Sequence, residues 1–170
     1  MNFSQLIEKL EKEARAIQFD CPKEIKAIYD HQIVESGQGA KGQAFSTMVF
    51  IEGDFRSLAY YNVLCLVRLA DEPSFSLEQM RILFREYVPL SVTFLKTCGF
   101  EKLFELTEDC LAVMEQIEDI ESFKEMLNLY SVYIGIYHQW VHNFFPWYLG
   151  ELFPQRKKEQ FEEALSLFNT

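Results

Sequence analysis

The spacing of hydrophobic residues along the chain predicts an all-α protein. In residues 2–17 the apolar side chains recur every three or four positions, with Glu and Lys on the opposite face. This is the pattern of an amphipathic helix. It returns through most of the chain, interrupted by short segments that contain Gly or Pro. We predict one compact helical bundle of seven or eight helices over residues 1–170, with residues 44–51 fitting either a helix or a short strand.

Local signals set several of the predicted helix boundaries. Ser76 with Gln79, and Ser122 with Glu125, have the spacing of capping boxes, which predicts a helix beginning at each pair. Pro89 is expected to end one helix or to start another, because proline has no N–H to donate. From the apolar positions of these helices we predict the core residues Leu64, Leu83, Phe94, Leu111, Ile134, Tyr137 and Val141.

The most unusual element is a long, nearly charge-free helix predicted over about residues 122–143. Residues 126–150 contain no Asp, Glu, Lys or Arg, and they hold eight of the 26 aromatic residues of the chain. A helix that is apolar nearly all round normally lies at the centre of a core. It also carries polar side chains, which are costly in lipid, so we expect no membrane span.

One face of this long helix is polar and small, and the opposite face is bulky and apolar. At 100° per residue, six positions fall within an arc of about 100°. They are Asn128, Ser131, Gly135, His138, Gln139 and His142. The face suits either a seam where another helix packs closely or a ligand pocket with aromatic walls and polar handles. We take these six residues as the candidate pocket residues.

A metal site is a third interpretation of the same face, and we predict against it. His138 and His142 are four residues apart and could chelate one ion from a single helix. A stable zinc site requires three or four protein ligands, and no cysteine has a fixed spacing to this pair. We therefore expect no metal and no cofactor. If a metal does bind, His138 and His142 are its predicted ligands.

Composition limits the class of protein. The chain has 170 residues, of which 49% are hydrophobic, so it can bury a sizeable core without stabilising disulfides or metal ions. The four cysteines form no C-x-x-C pair and suit reduced, packed thiols. The N-terminal segment is charged and amphipathic, unlike a signal peptide. We expect a soluble cytoplasmic protein.

The net charge of −10 changes the expected partners. An acidic surface repels a phosphate backbone, so we expect no nucleic-acid binding. Residues 101–125 hold nine carboxylates against two lysines. Such a segment forms either a solvated face or a docking patch for a basic partner.

The sequence contains no complete catalytic or cofactor-binding motif. Gly37, Gly39 and Gly42 have the spacing G-x-G-x-x-G, but a helical pattern precedes them where a dinucleotide site needs a strand. The Glu-x-x-His pairs of di-iron bundles are also missing.

We therefore expect a binding or interaction module that is not an enzyme, with an internal aromatic-lined pocket as one option. The expected partners are another protein, a small apolar or aromatic ligand, or a second copy in a homodimer. The alternative is an enzyme or ligand sensor, with His138 or His142 as acid/base groups or metal ligands in a bundle pocket.

Overall fold

The computed structural model describes residues 1–24, 56–97 and 101–144, without the side chains of Phe94, Thr97 and residues 142–144. All regular secondary structure in these ranges is α-helical, so the predicted fold class is confirmed there. The described ranges contain five long helices: α1 (Phe3–Gln18), α2 (described over 56–69), α3 (Leu77–Thr97), α4 (Glu101–Met114) and α5 (Ile120–Phe144). Residues 23–24 are also helical. The predicted count of seven or eight is not supported, and the segment 44–51 lies outside the described residues.

Helix α1 is capped at its start and held at its end. The side chain of Asn2 accepts from the backbone N–H of Gln5, and the Gln5 side chain accepts from the backbone N–H of Asn2. This capping box satisfies two N–H groups that have no partner within the helix. At the other end, Nε1 of Trp140 donates to the carbonyl oxygen of Ile17 over 2.5 Å. The contact ties the C-terminus of α1 to helix α5.

Helix α3 corrects one predicted boundary. Pro89 lies inside the helix, where we expected a helix end or a new start. Proline cannot donate to the carbonyl of Arg85, but one missing bond does not outweigh the packing on both sides. Val88, Val92 and Leu95 are all buried against the core. Two predicted helices are therefore one, which is part of the reason that the predicted count is not supported.

Helix α5 begins two residues earlier than predicted, because a different residue caps it. The carboxylate of Asp119 accepts from the backbone N–H of Ser122 at 2.7 Å and from its hydroxyl at 2.9 Å. The predicted box of Ser122 with Glu125 is therefore wrong. The box of Ser76 with Gln79 is confirmed by its two reciprocal bonds, of 2.8 and 3.2 Å. Within the described ranges, no helix has the length and apolarity needed to cross a bilayer.

The core lies where α5 meets α1, α3 and α4. The ring of Phe84 on α3 makes edge contacts with Phe123 and Tyr130 of α5. Among the predicted core residues, three are buried, three are only partly buried, and the side chain of Phe94 is not described. The buried ones are Ile134, Tyr137 and Val141, and the partly buried ones are Leu64, Leu83 and Leu111. On α2 the inward stripe is Ala59, Val63, Leu66 and Ala70, so Leu64 lies to one side of it.

Candidate ligand site between helices α2 and α5

The polar face of α5 lies along α2, and the two helices run antiparallel there. Asn128 shares a cleft with Ala70 at the end of α2. About two turns further along α5, Gly135 faces Tyr60, and one turn beyond it His138 contacts Arg56. The contacts therefore move toward the start of α2 as they move toward the end of α5.

Two of the six predicted site residues, Gly135 and His138, meet polar or aromatic side chains of α2 directly. Asn128 is exposed and lines a cleft of about 40 Å³ together with Asp71 and Lys124. The hydroxyl of Ser131 donates to the carbonyl oxygen of Asn128 over 2.7 Å. Gln139 is exposed, and the side chain of His142 lies outside the described residues. The pocket over all six residues stays a prediction.

A buried arginine meets His138 at this junction. Arg56 is 6% exposed, and its Nη1 lies 2.5 Å from Nδ1 of His138 and 3.5 Å from the His138 carbonyl oxygen. A guanidinium group can only donate, so Nδ1 of His138 is the acceptor and carries a lone pair. In the neutral imidazole the proton is then on Nε2. Arg56 thus selects the tautomer in which Nε2 donates.

The imidazole of His138 is also stacked on the ring of Tyr60. The ring centroids are 5.2 Å apart and the planes differ by 11°. Both side chains are partly exposed. The ring of Tyr60 in turn lies close to Gly135, one turn before His138 on α5. Arg56, Tyr60 and His138 are called the α2–α5 cluster below: one cation and two parallel rings.

The tyrosines of α5 point away from this cluster into the core. The Tyr130 hydroxyl lies 2.6 Å from the hydroxyl of Thr107, which donates to the Leu103 carbonyl, so the tyrosine is the donor of this pair. Burial raises the pKa of Tyr130, although the hydrogen bond with Thr107 opposes this effect. Burial is also the main cause that raises the pKa of Tyr133. Neither phenol is therefore suited to proton transfer near neutral pH.

Sequence reasoning missed Arg56 and Tyr60, although a signal for the first is present. Arg56 stands at the start of the apolar stripe that continues through Ala59, Val63, Leu66 and Ala70. Charged residues are rarely buried without a partner or a function, so an arginine in register with such a stripe marks a candidate site. The pattern of α5 alone could not identify which residues of another helix face it.

Acidic side chains of the predicted docking patch are partly engaged within the bundle. Lys9 of α1 contacts Asp109 at 2.5 Å and Glu105 at 3.0 Å. Arg85 of α3 forms an ion pair with Glu115. Among the described residues, no three His, Cys, Asp or Glu side chains are grouped to hold a metal ion.

Comparison with known proteins gives a family and a fold. The model of the family described as "Cucumopine synthase C-terminal helical bundle domain" matches residues 3–144. Among solved structures, the chain is similar to "Structure of McbB in complex with tryptophan", with a TM-score of 0.74 and 24% identity. This match covers 89% of the present chain and 48% of the McbB chain, so the chain spans about half the length of that protein. Comparison with curated protein sequences gives no significant match.

Proposed function

The chain belongs to the family of cucumopine synthase C-terminal helical bundle domains, and from this membership we propose that it is a ligand-binding helical domain of a synthase. The proposed ligand is a small aromatic molecule that carries a carboxylate, such as an aromatic amino acid. The observation that carries the proposal is the α2–α5 cluster, in which a buried cation adjoins two parallel rings.

The similar fold of McbB supports the class of ligand. Its structure is a complex with tryptophan, which combines an aromatic ring with a carboxylate. A similarity at 24% identity shows a shared fold, and the binding of a similar ligand by the present chain is our proposal. The present chain spans about half of McbB.

The chemistry of the cluster suits each part of such a ligand. Aromatic rings bind one another by offset stacking or edge contacts, and the Tyr60 and His138 rings are both partly exposed. A guanidinium group binds a carboxylate through charge-assisted hydrogen bonds, often in pairs. The cleft at Asn128 is about 40 Å³, which is enough for water but not for an amino acid. We therefore place the ligand at the Arg56 end of the seam.

The hydrogen bond from Arg56 to His138 argues against His138 as a general base. Because Nδ1 accepts from Arg56, the neutral ring carries its proton on Nε2. In this tautomer Nε2 carries a proton and cannot accept another. His138 acting as a general base is thus the less supported alternative. The protein partner and the homodimer stay predictions.

Isothermal titration calorimetry with three probes tests the proposal. L-Tryptophan has both charges, indole-3-propionate keeps only the carboxylate, and tryptamine keeps only the amine. We expect the first two to bind and tryptamine to bind at least about 10-fold more weakly, since a hydrogen bond to a charged group contributes about 1.5–3 kcal/mol. Arg56→Gln should remove this discrimination, and Tyr60→Leu should weaken both carboxylate ligands about 3- to 10-fold.

Two matched variants serve as controls. Tyr87→Leu removes a half-exposed tyrosine from α3, and Arg68→Gln removes an exposed arginine from α2. Both should bind tryptophan like the unmodified protein. The proposal fails if none of the three probes binds, if tryptamine binds as well as tryptophan, or if the controls lose as much affinity as Tyr60→Leu and Arg56→Gln.

A further inference from the structure

We propose that Gly135 is a positioning residue for the α2–α5 cluster. Its lack of a side chain would let the ring of Tyr60 approach α5 closely enough to stack on His138. The inference rests on the proposed function for its effect on ligand binding. Its effect on the two rings is separate and can be measured without ligand.

The space above Gly135 is already taken by the Tyr60 ring. A Cβ atom at position 135 would lie 3.2 Å from Cε2 of Tyr60, and 3.8 Å from its hydroxyl oxygen. Carbon atoms that are not bonded normally lie about 3.5–4.0 Å apart. An alanine here therefore requires the tyrosine ring to move, because the helix backbone is the stiffer of the two.

Movement of the Tyr60 ring affects its stacking partner one turn further along α5. The ring is nearly parallel to His138, with a 5.2 Å centroid separation. Shifting or tilting it would change the magnetic environment of the imidazole. The hydrogen bond from Arg56 to Nδ1 comes from another side of the ring and does not involve Tyr60. The stacking should therefore change while the tautomer of His138 is retained.

Gly135→Ala is informative because its effect on the stability of the helix and its effect on the cluster should have opposite signs. Glycine in the interior of a helix is unfavourable relative to alanine, because it loses more backbone freedom on folding. Gly135→Ala is thus expected to favour the helix itself while it disturbs the cluster. A purely structural glycine, with no role in positioning Tyr60, would show the first effect alone.

The experiment compares Gly135→Ala with Val132→Ala by NMR of the histidine ring and by tryptophan titration. Val132 is exposed on the same helix, and its replacement by alanine also raises helix propensity. We expect Gly135→Ala to shift the ring-proton resonances of His138 in the free protein and to weaken tryptophan binding about 3- to 10-fold. Val132→Ala should change neither.

A double variant separates positioning from other effects. In the Tyr60→Leu background, Gly135→Ala should cause no further loss of affinity, because the ring it displaces is already gone. The alanine should raise the melting temperature in that background, which also guards against a folding defect. Unchanged His138 resonances in Gly135→Ala, or a full additional loss of affinity in the double variant, would overturn the inference. If the unmodified protein does not bind tryptophan but the His138 resonances still respond to Gly135→Ala, the proposed function fails and the positioning role remains.

Discussion

The two halves of helix α5 contact very different surroundings. In the first half, Phe123, Met126 and Tyr130 are fully buried among apolar side chains of the bundle. In the second half, His138 contacts a buried arginine and a tyrosine, and Trp140 donates to the end of α1. One continuous helix thus passes from an apolar core into a polar and aromatic junction.

The difference indicates which part of the sequence serves stability. In the first half, the Tyr130 hydroxyl donates to Thr107 in the core, and the Thr107 hydroxyl donates to the Leu103 carbonyl oxygen, so both hydroxyl groups are satisfied. In the second half, a guanidinium group is taken out of water, which is expensive unless it is compensated. Apolar side chains at the junction would pack at lower cost. Arg56 is compensated at least in part by its contacts with His138, and the recognition role of this junction is the proposal made above.

The largest effect on stability is expected from Thr107→Val, which removes a contact with Tyr130 in the first half of α5. The variant leaves the buried Tyr130 hydroxyl without its acceptor, and an unsatisfied buried polar group costs about 1–3 kcal/mol. We expect the free energy of unfolding, measured by urea denaturation, to fall by that amount. Tryptophan affinity at temperatures where the variant is folded should stay unchanged, because the cluster lies elsewhere on α5.

A double variant identifies the cause of that loss. Adding Tyr130→Phe to Thr107→Val removes both partners and should recover part of the lost stability, since neither hydroxyl is then left unpaired. If the double variant is as unstable as the sum of the single variants, the hydrogen bond is not the cause. If Thr107→Val abolishes tryptophan binding in the folded protein, the two halves of α5 are not independent.

A smaller effect on stability is expected from the exposed ion pairs that Glu105 of α4 forms with Lys102 and Lys9. The hydrogen bond with Lys102, followed by that with Lys9, lowers the pKa of the Glu105 carboxyl below its ordinary value of about 4.5. A lowered folded-state pKa means that the stabilisation is fully present above about pH 4.5 and is lost as the pH falls through the folded-state value. Because Glu105 is exposed, we expect about 0.5 kcal/mol or less.

The corresponding measurement is the free energy of unfolding between pH 3 and pH 7, for Glu105→Gln and for the exposed Glu108→Gln on the same helix. Glu105→Gln should be less stable than the unmodified protein near neutral pH, and the two should converge in acid. Glu108→Gln should stay closer to the unmodified protein at neutral pH. A Glu105→Gln deficit that is largest at low pH would contradict the assigned direction.

The sequence was sufficient for what depends on local patterns. The long helix was predicted over about 122–143 and is observed at Ile120–Phe144, because its apolar run and its boundaries are encoded in neighbouring residues. The error at its start arose because Asp119 competes with Ser122 for the capping role, and spacing alone does not rank them. Pro89 was misjudged because tertiary packing compensates for one missing backbone bond.

The candidate site was only half accessible to the same reasoning. Gly135 and His138 were found because they share one face of a single helix. Arg56 and Tyr60 were missed because their role depends on how α2 is rotated and on its antiparallel placement against α5. The rotation that buries Ala59 and Val63 also aligns Arg56 with His138, and it leaves Leu64 only partly buried. This relation between α2 and α5 depends on how the two helices pack, and the hydrophobic periodicity of either helix alone does not predict it.

The central claim, that the second half of α5 together with α2 recognises an aromatic ligand, is tested most directly by NMR mapping of a tryptophan titration. We predict concentration-dependent shifts at Tyr60, Gly135 and His138, and none at Phe123 or Tyr130 in the first half. Shifts confined to the first half of α5, or no shifts at millimolar tryptophan, would contradict the account.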